Sequence, residues 1–184
     1  MEHFSRIRGI VITVLMFVVV CFFVFNEQIY KCKILIPLQL FFSPLNIPKD
    51  FYIPVLDFSL EPNKYHYEVE FRNKYVGEKD LVITTPYDEK LYGEMVGGKG
   101  YIPNMEVCLK IMASNKILWQ ATSANHLKPM DSGTEIGFIF ADYQCPRDLP
   151  IDEDLMLVLD VVKHDPEFEN KYKLRLKIRN YIRE

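Results

Sequence analysis

The sequence predicts an all-β domain, an antiparallel β-sandwich that is immunoglobulin-like or similar with about eight strands, preceded by one amino-terminal transmembrane helix. Three observations carry this expectation: an uncharged run from Gly9 to Phe25, a period-two alternation of apolar and polar residues at both ends of the remaining chain, and turn-forming pairs between short apolar segments. A chain of 184 residues has room for one ordinary core and an appendage.

Gly9 to Phe25 reads GIVITVLMFVVVCFFVF, seventeen residues without a charge. At about 1.5 Å rise per residue such a helix covers roughly 26 Å, just enough for a nearly upright span of a hydrocarbon core about 30 Å thick, with Tyr30 at the interface. Arg6 and Arg8 precede the run, and short basic tails stay in the cytoplasm. Lys31 and Lys33 follow it, so the count favours an inside amino terminus by a narrow margin. The run passes through Phe22, Phe23, Val24 and Phe25 into Asn26, Glu27 and Gln28, without the small residues that a cleavage site needs. Cys21 follows Val18, Val19 and Val20, an unsuitable context for lipoprotein attachment. The expected organisation is a cytoplasmic tail at 1–8, an uncleaved anchor at 9–25, a juxtamembrane linker at 26–54 and an extracytoplasmic domain at 55–184. That places a single-pass protein in the inner (plasma) membrane with a periplasmic carboxy-terminal domain.

Within the linker, Ile34 to Phe42 is too short to span and is interrupted by Pro37; it is expected to lie on the membrane surface or to form a first strand. Pro44, Pro48 and Pro54 then stiffen the approach to the domain.

The domain begins with Leu56, Phe58 and Leu60. In the next segment Tyr65, Tyr67, Val69 and Phe71 face one way and His66, Glu68, Glu70 and Arg72 the other, the pattern of a half-buried strand. The last segment repeats it, with Tyr172, Leu174, Leu176 and Ile178 inward and Lys173, Arg175, Lys177 and Arg179 outward. Between them Leu81 to Thr85, Met105 to Met112, Lys116 to Ala121, Thr134 to Ala141 and Leu155 to Val162 read as strands. Leu155 to Val162 is apolar on nearly both faces and is the expected central strand. Pro62-Asn63, Ser114-Asn115, Asp131-Ser132-Gly133 and Asp165-Pro166 supply turns. Pro86 to Pro103 resists the pattern and is expected to be a loop or bulged crossover.

Residues 44–184 hold 18 Lys/Arg against 23 Asp/Glu, a net charge of −5 that disfavours non-specific nucleic-acid binding. The run Gly93 to Gly100 matches the first seven positions of a phosphate-binding loop but has Gly100 where a Ser or Thr should hold Mg²⁺, and Pro103 where a helix should follow. His3, His66, His126 and His164 are isolated, without zinc-site spacing. Ser123, Asn125 and His126 lie close together, yet the chain has no nucleophile elbow. Asp148, Asp152, Glu153 and Asp154 precede the expected central strand and Asp165, Glu167 and Glu169 follow it, so the two groups fall at opposite ends. The cationic stripe Lys173 to Arg179 is expected to pair with Glu68 and Glu70 across a sheet. Thus no catalytic, cofactor-binding or metal residue is assigned, and no cofactor is expected. Cys108 and Cys145 form the candidate disulfide, which would close a loop of 37 residues worth about 4 kcal/mol. The alternative is two free, half-buried thiols. Cys32, beside the membrane, is a candidate for acylation.

Tyr65 to Tyr75, taken with the anchor and the tail Leu174 to Arg179, resembles small bacterial membrane-anchored or lipoprotein β-sandwich proteins of unknown function, some of them immunity proteins. The resemblance implies a non-enzymatic, membrane-anchored domain that binds a protein partner, such as a secreted toxin delivered to the periplasm. The alternatives are a cell-envelope enzyme with a dispersed active site and a structural subunit of a membrane complex.

Overall fold

The computed structural model describes residues 2–24, 30–32, 47–96, 102–123, 127–131, 133–140, 146 and 149–180. The chain divides into two compact units, Met1–Phe51 and Tyr52–Glu184. In the first, helix α1 covers Glu2–Val24. Every residue from Ile10 to Val20 is exposed, and over three helical turns this directs apolar side chains outward on all sides. Among the described residues no helix is long and apolar enough to cross a membrane. Later in the same unit Tyr30 and Phe51 are buried, their rings meeting edge to face at 5.1 Å. Ile34 to Phe42 and Pro44 lie outside the described residues.

The second unit is mostly β. Its strands are β1 (Leu56–Ser59), β2 (His66–Arg72), β3 (Lys79–Pro86), β4 (Glu106–Ala113), β5 (Lys116–Thr122), β6 (Leu127–Asp131), β7 (Glu135–Phe140), β8 (Asp154–Lys163) and β9 (Arg175–Asn180). They form two antiparallel sheets, one ordered β1-β9-β3-β7-β6 and the other β2-β8-β4-β5. The alternation seen in the sequence decides which residues lie between them. Leu81 and Ile83 of β3, Ile136 and Phe138 of β7, and Leu176 and Ile178 of β9 come from the first sheet. They share one core with Tyr67 and Phe71 of β2, Val107, Leu109 and Ile111 of β4, and Leu155, Leu157, Leu159 and Val161 of β8. Burying these inner faces against each other is the main driving term, at roughly 25 cal/mol per Å² of apolar surface.

The expected central strand, Leu155 to Val162, is internal to its sheet, but Val162 is 65% exposed. The strand buried on both faces is β3, from Lys79 to Thr85. Its outer residues Val82 and Thr84 stand opposite Lys177 and Arg175 of β9, whose charges are neutralised locally. Arg175 Nε donates to Asp57 Oδ1 at 2.8 Å, Lys177 Nζ donates to Glu135, and Arg179 reaches Asp80 at 3.3 Å. The stripe therefore pairs within its own sheet and not with Glu68 and Glu70, because β2 belongs to the other sheet. Long Lys and Arg stems cover apolar surface while their heads find carboxylates.

Three features depart from the sequence reading. The loop expected at Pro86 to Pro103 contains helix α2 (Glu89–Val96). Asp88 caps it, accepting the Leu91 N–H at 2.8 Å, and Leu91 and Met95, four residues apart, enter the core. The turn expected at Asp165-Pro166 opens helix α3 (Pro166–Lys171), with Asp165 as its cap and Pro166 in the first turn. The ninth strand, β6, contains Pro129, which a sheet tolerates at an edge. The turn foreseen at Ser114-Asn115 is a two-residue hairpin with φ of 46° and 67°, joining β4 to β5.

Gly137 of β7 faces Thr84 of β3, and a Cβ at this position would collide with the backbone carbonyl of Ile83. Backbone cannot yield as a side chain can, so Gly137→Ala should destabilise the domain by about 3 kcal/mol or more. A chemical-denaturation midpoint equal to that of the parent would remove this reading of the close approach.

Candidate functional site

One end of the sandwich is closed by polar contacts around a buried carboxylate. Strand β8 ends at Lys163, and His164 and Asp165 turn the chain into α3. The Asp cap and the proline set the start of that helix, which carries Glu169 back over the turn. The His164 and Glu169 side chains are only 8% and 7% exposed, and His164 Nδ1 lies 2.8 and 2.7 Å from the two Glu169 oxygens. Glu169 also accepts the backbone N–H of Asp165 at 3.0 Å and that of Asn63, in the β1–β2 loop, at 3.5 Å. Asp165 Oδ2 accepts the Asn104 N–H at 2.9 Å, joining the segment before β4 to the same cluster. Three separate stretches of chain are thereby fixed to one another.

The carboxylate holds the imidazole by Nδ1 and leaves Nε2 buried and, among the described residues, without a hydrogen-bond partner. Beside it is a cavity of about 10 Å³, lined by Leu60, Glu61, Pro62, Lys64, Tyr67, Met105, Val161 and Leu174 as well as the pair itself. That space is near the lower limit for one water molecule. Tyr65 stacks edge to face on His164 at 4.4 Å and is 63% exposed, although its place in the alternation predicted an inward side chain. The Tyr67 hydroxyl donates to the Glu61 carbonyl at 3.0 Å and accepts the Glu61 N–H at 2.7 Å; burial pushes its pKa up. Chemically, the arrangement is a carboxylate orienting a histidine, and an exposed aromatic ring on a braced loop.

The remaining candidates are dispersed. His66 lies on the outer face of the β2 sheet between Asp160, at 2.7 Å from Nδ1, and Glu68, at 3.3 Å from Nε2; the Asp160 and Glu68 hydrogen bonds hold its pKa above the ordinary value. The two acidic groups fall at opposite ends of β8, as their positions in the chain required: Asp154 pairs with Arg72, whereas Asp165 and Glu169 serve the α3 end. Among the described residues no three His, Cys, Asp or Glu side chains are grouped to hold a metal ion. Cys108 is half-buried on β4. Its candidate partner Cys145 lies outside the described residues, as do Gly97 to Gly100, Asn125, His126 and Asp148. The signal that could have joined His164 to Glu169 in the sequence is the Asp165-Pro166 pair followed by acidic residues, a helix start that brings the fourth helical residue back over the turn.

A second buried polar cluster was not foreseen. Lys79, fully buried at the start of β3, donates from Nζ to the carbonyls of Tyr75 at 2.8 Å and Gly77 at 3.2 Å. Asn73, equally buried, donates to Leu149 and Pro150 carbonyls at 3.1 Å and accepts the Asp152 N–H at 2.8 Å. Gly77, with φ of 113°, supplies a conformation that side-chain-bearing residues rarely adopt. Burial lowers the Lys79 pKa to about 8.

No family model matches the chain, and no curated protein matches it. Among solved structures it is similar to the crystal structure of GEBA250068378 from Sulfurospirillum deleyianum, at 11% identity and a TM-score of 0.47, over 70% of this chain and 98% of that one.

Removing the Glu169 carboxylate leaves three donors unpaired, so Glu169→Ala should cost about 2–4 kcal/mol and speed hydrogen exchange at the amides of Asn63 and Asp165. Unchanged exchange there would show that the carboxylate does not brace the two segments. Lys79 titrates lower in the folded chain, to about 8 against an ordinary 10.5, so the unfolded state holds more protons across that window. Stability should therefore rise with pH from about 8 to 10.5, by at most about 3 kcal/mol from this group. Lys79→Met should remove that part of the rise; superimposable pH profiles of the two proteins would dismiss a buried charge at Lys79.

Proposed function

We propose that this chain is a membrane-tethered, non-catalytic binding domain whose β unit lies outside the cytoplasm and recognises a protein through the end built around Glu169. The observation that carries the reading is α1: a helix exposing apolar side chains on every side from Ile10 to Val20 is matched to lipid and poorly matched to water. Arg6 and Arg8 ahead of it favour an inside amino terminus. At the other unit's loop end, Tyr65 is an exposed aromatic ring on a loop already ordered by the Asn63–Glu169 bond, and pre-ordered aromatic side chains are the usual anchors of protein interfaces. The resemblance of Tyr65 to Tyr75 to anchored sandwich proteins points to a secreted toxin as the partner and to neutralisation in the periplasm as the outcome. A second reading, a cell-envelope enzyme, is favoured by the His164–Glu169 pair alone.

The full-length chain should stay with vesicles through an alkaline carbonate wash, and a reporter fused after Glu184 should behave as extracytoplasmic. Release by carbonate, or cytoplasmic reporter behaviour, would overturn the tether or its orientation respectively.

A further inference from the structure

The cavity beside His164 includes, within a largely apolar lining, groups that recognise a primary ammonium ion. Its mouth already holds one. Lys64 Nζ stands 3.3 Å from Glu61 Oε1 and 4.7 Å from the centroid of the Tyr67 ring, so a carboxylate and an aromatic face converge on a cation at the edge of the pocket. Deeper in, the Glu169 carboxylate can only accept, so the hydrogen of a neutral His164 sits on Nδ1 and leaves the Nε2 lone pair as an acceptor. That nitrogen belongs to a side chain that is more than nine-tenths buried and lines the cavity, and among the described residues it has no hydrogen-bond partner. Among the described residues Glu169 itself has no Lys or Arg partner; its donors there are the imidazole and two backbone amides.

We propose that this pocket binds a primary alkylammonium group, the tip of a lysine side chain presented by a partner, and that Lys64 is the internal occupant of its mouth. A partner's lysine would displace Lys64 from Tyr67 and Glu61 and donate to His164 Nε2, with the Glu169 charge behind the imidazole adding to the attraction. The small cavity suits an unsubstituted ammonium and excludes a quaternary one, which also lacks the hydrogen to donate. Naming lysine as the partner's contribution rests on the reading of this end as a recognition surface; the ammonium site itself does not.

The test is a titration of the full chain in nonionic detergent micelles with n-butylammonium, tetramethylammonium and a lysine-containing tripeptide, followed by NMR shifts of His164 and Tyr67 and by the ring-nitrogen pattern of His164. Saturable shifts with n-butylammonium are expected, with a hydrogen on Nδ1, no response to tetramethylammonium, and roughly tenfold tighter binding in Lys64→Ala, where the competing occupant is gone. A response to the tripeptide as well assigns the ligand to a lysine side chain; a response to the free amine alone overturns the partner-lysine part. Equal binding of the quaternary ion, a hydrogen on Nε2, or no saturable shift in both the parent and Lys64→Ala overturns the site. These outcomes are separable from the tether, which vesicle extraction measures without any amine.

Discussion

Each sheet has one face that water disfavours, and neither can be satisfied alone; the structure depends on closing the two inner faces on one another. The requirement is strictest at β3, which is buried on both sides. Its inner residues Leu81 and Ile83 join the shared core, and its outer residues Val82 and Thr84 stand opposite Lys177 and Arg175 of β9, a strand whose charges find Asp57, Glu135 and Asp80. The most open of these pairs, Arg175–Asp57, contributes little by itself, as exposed ion pairs typically give below about 1 kcal/mol. Their role here is to let long side chains lie flat over apolar strand without leaving a bare charge, so that burial and neutralisation are accomplished together.

The ends of a sandwich pose a different problem, since the connections there carry backbone polar groups that no ladder satisfies. The chain solves it twice with buried polar side chains. Glu169 gathers the β1–β2 loop and the β8–α3 turn, while Lys79 and Asn73 hold the β2–β3 connection against the segment before β8. The two solutions differ in kind. Lys79 is surrounded by carbonyls and loses most of its hydration, which lowers its pKa to about 8. Glu169 is met by donors, including an imidazole whose second nitrogen has no hydrogen-bond partner among the described residues. Each leaves one buried side-chain atom without a hydrogen-bond partner among the described residues, Asn73 Oδ1 in the first and His164 Nε2 in the second.

Much of the fold was legible because period-two alternation is a direct image of burial. Tyr67, Phe71, Leu174, Leu176 and Ile178 all face the core as their spacing required. Position along the chain could not say which strands are neighbours. The pairing of Arg175 and Lys177 with Asp57 depends on β1 lying beside β9, more than a hundred residues away in sequence, so local charge patterns suggested Glu68 and Glu70 instead. Helix α2 was obscured because Gly93 lies inside it and a glycine-rich run follows, although Asp88 and the Leu91/Met95 spacing recorded its cap and its buried face. Of the site, each residue was visible singly, but the contact of His164 with Glu169 was hidden behind Asp165-Pro166, which reads equally as a turn or as a helix start.

Tyr65 shows how strand position and exposure separate. It continues the inward parity of Tyr67 and Phe71, yet lies one residue before β2 begins, where the opposite sheet no longer covers it. The chain places His164 beneath its edge instead, and the Val161 N–H, donating to the Tyr65 carbonyl at 2.8 Å, fixes the backbone at that point. The strand faces have little comparable to offer: their polar residues are largely committed to neighbours in the same sheet, as His66 is to Asp160 and Arg72 to Asp154. An aromatic ring that is exposed yet held in one orientation, above a buried histidine with an open nitrogen, combines low ordering cost with unsatisfied polarity. Among the described residues of the β unit, the Glu169 end thus sets an exposed aromatic ring beside an incompletely satisfied buried polar pair.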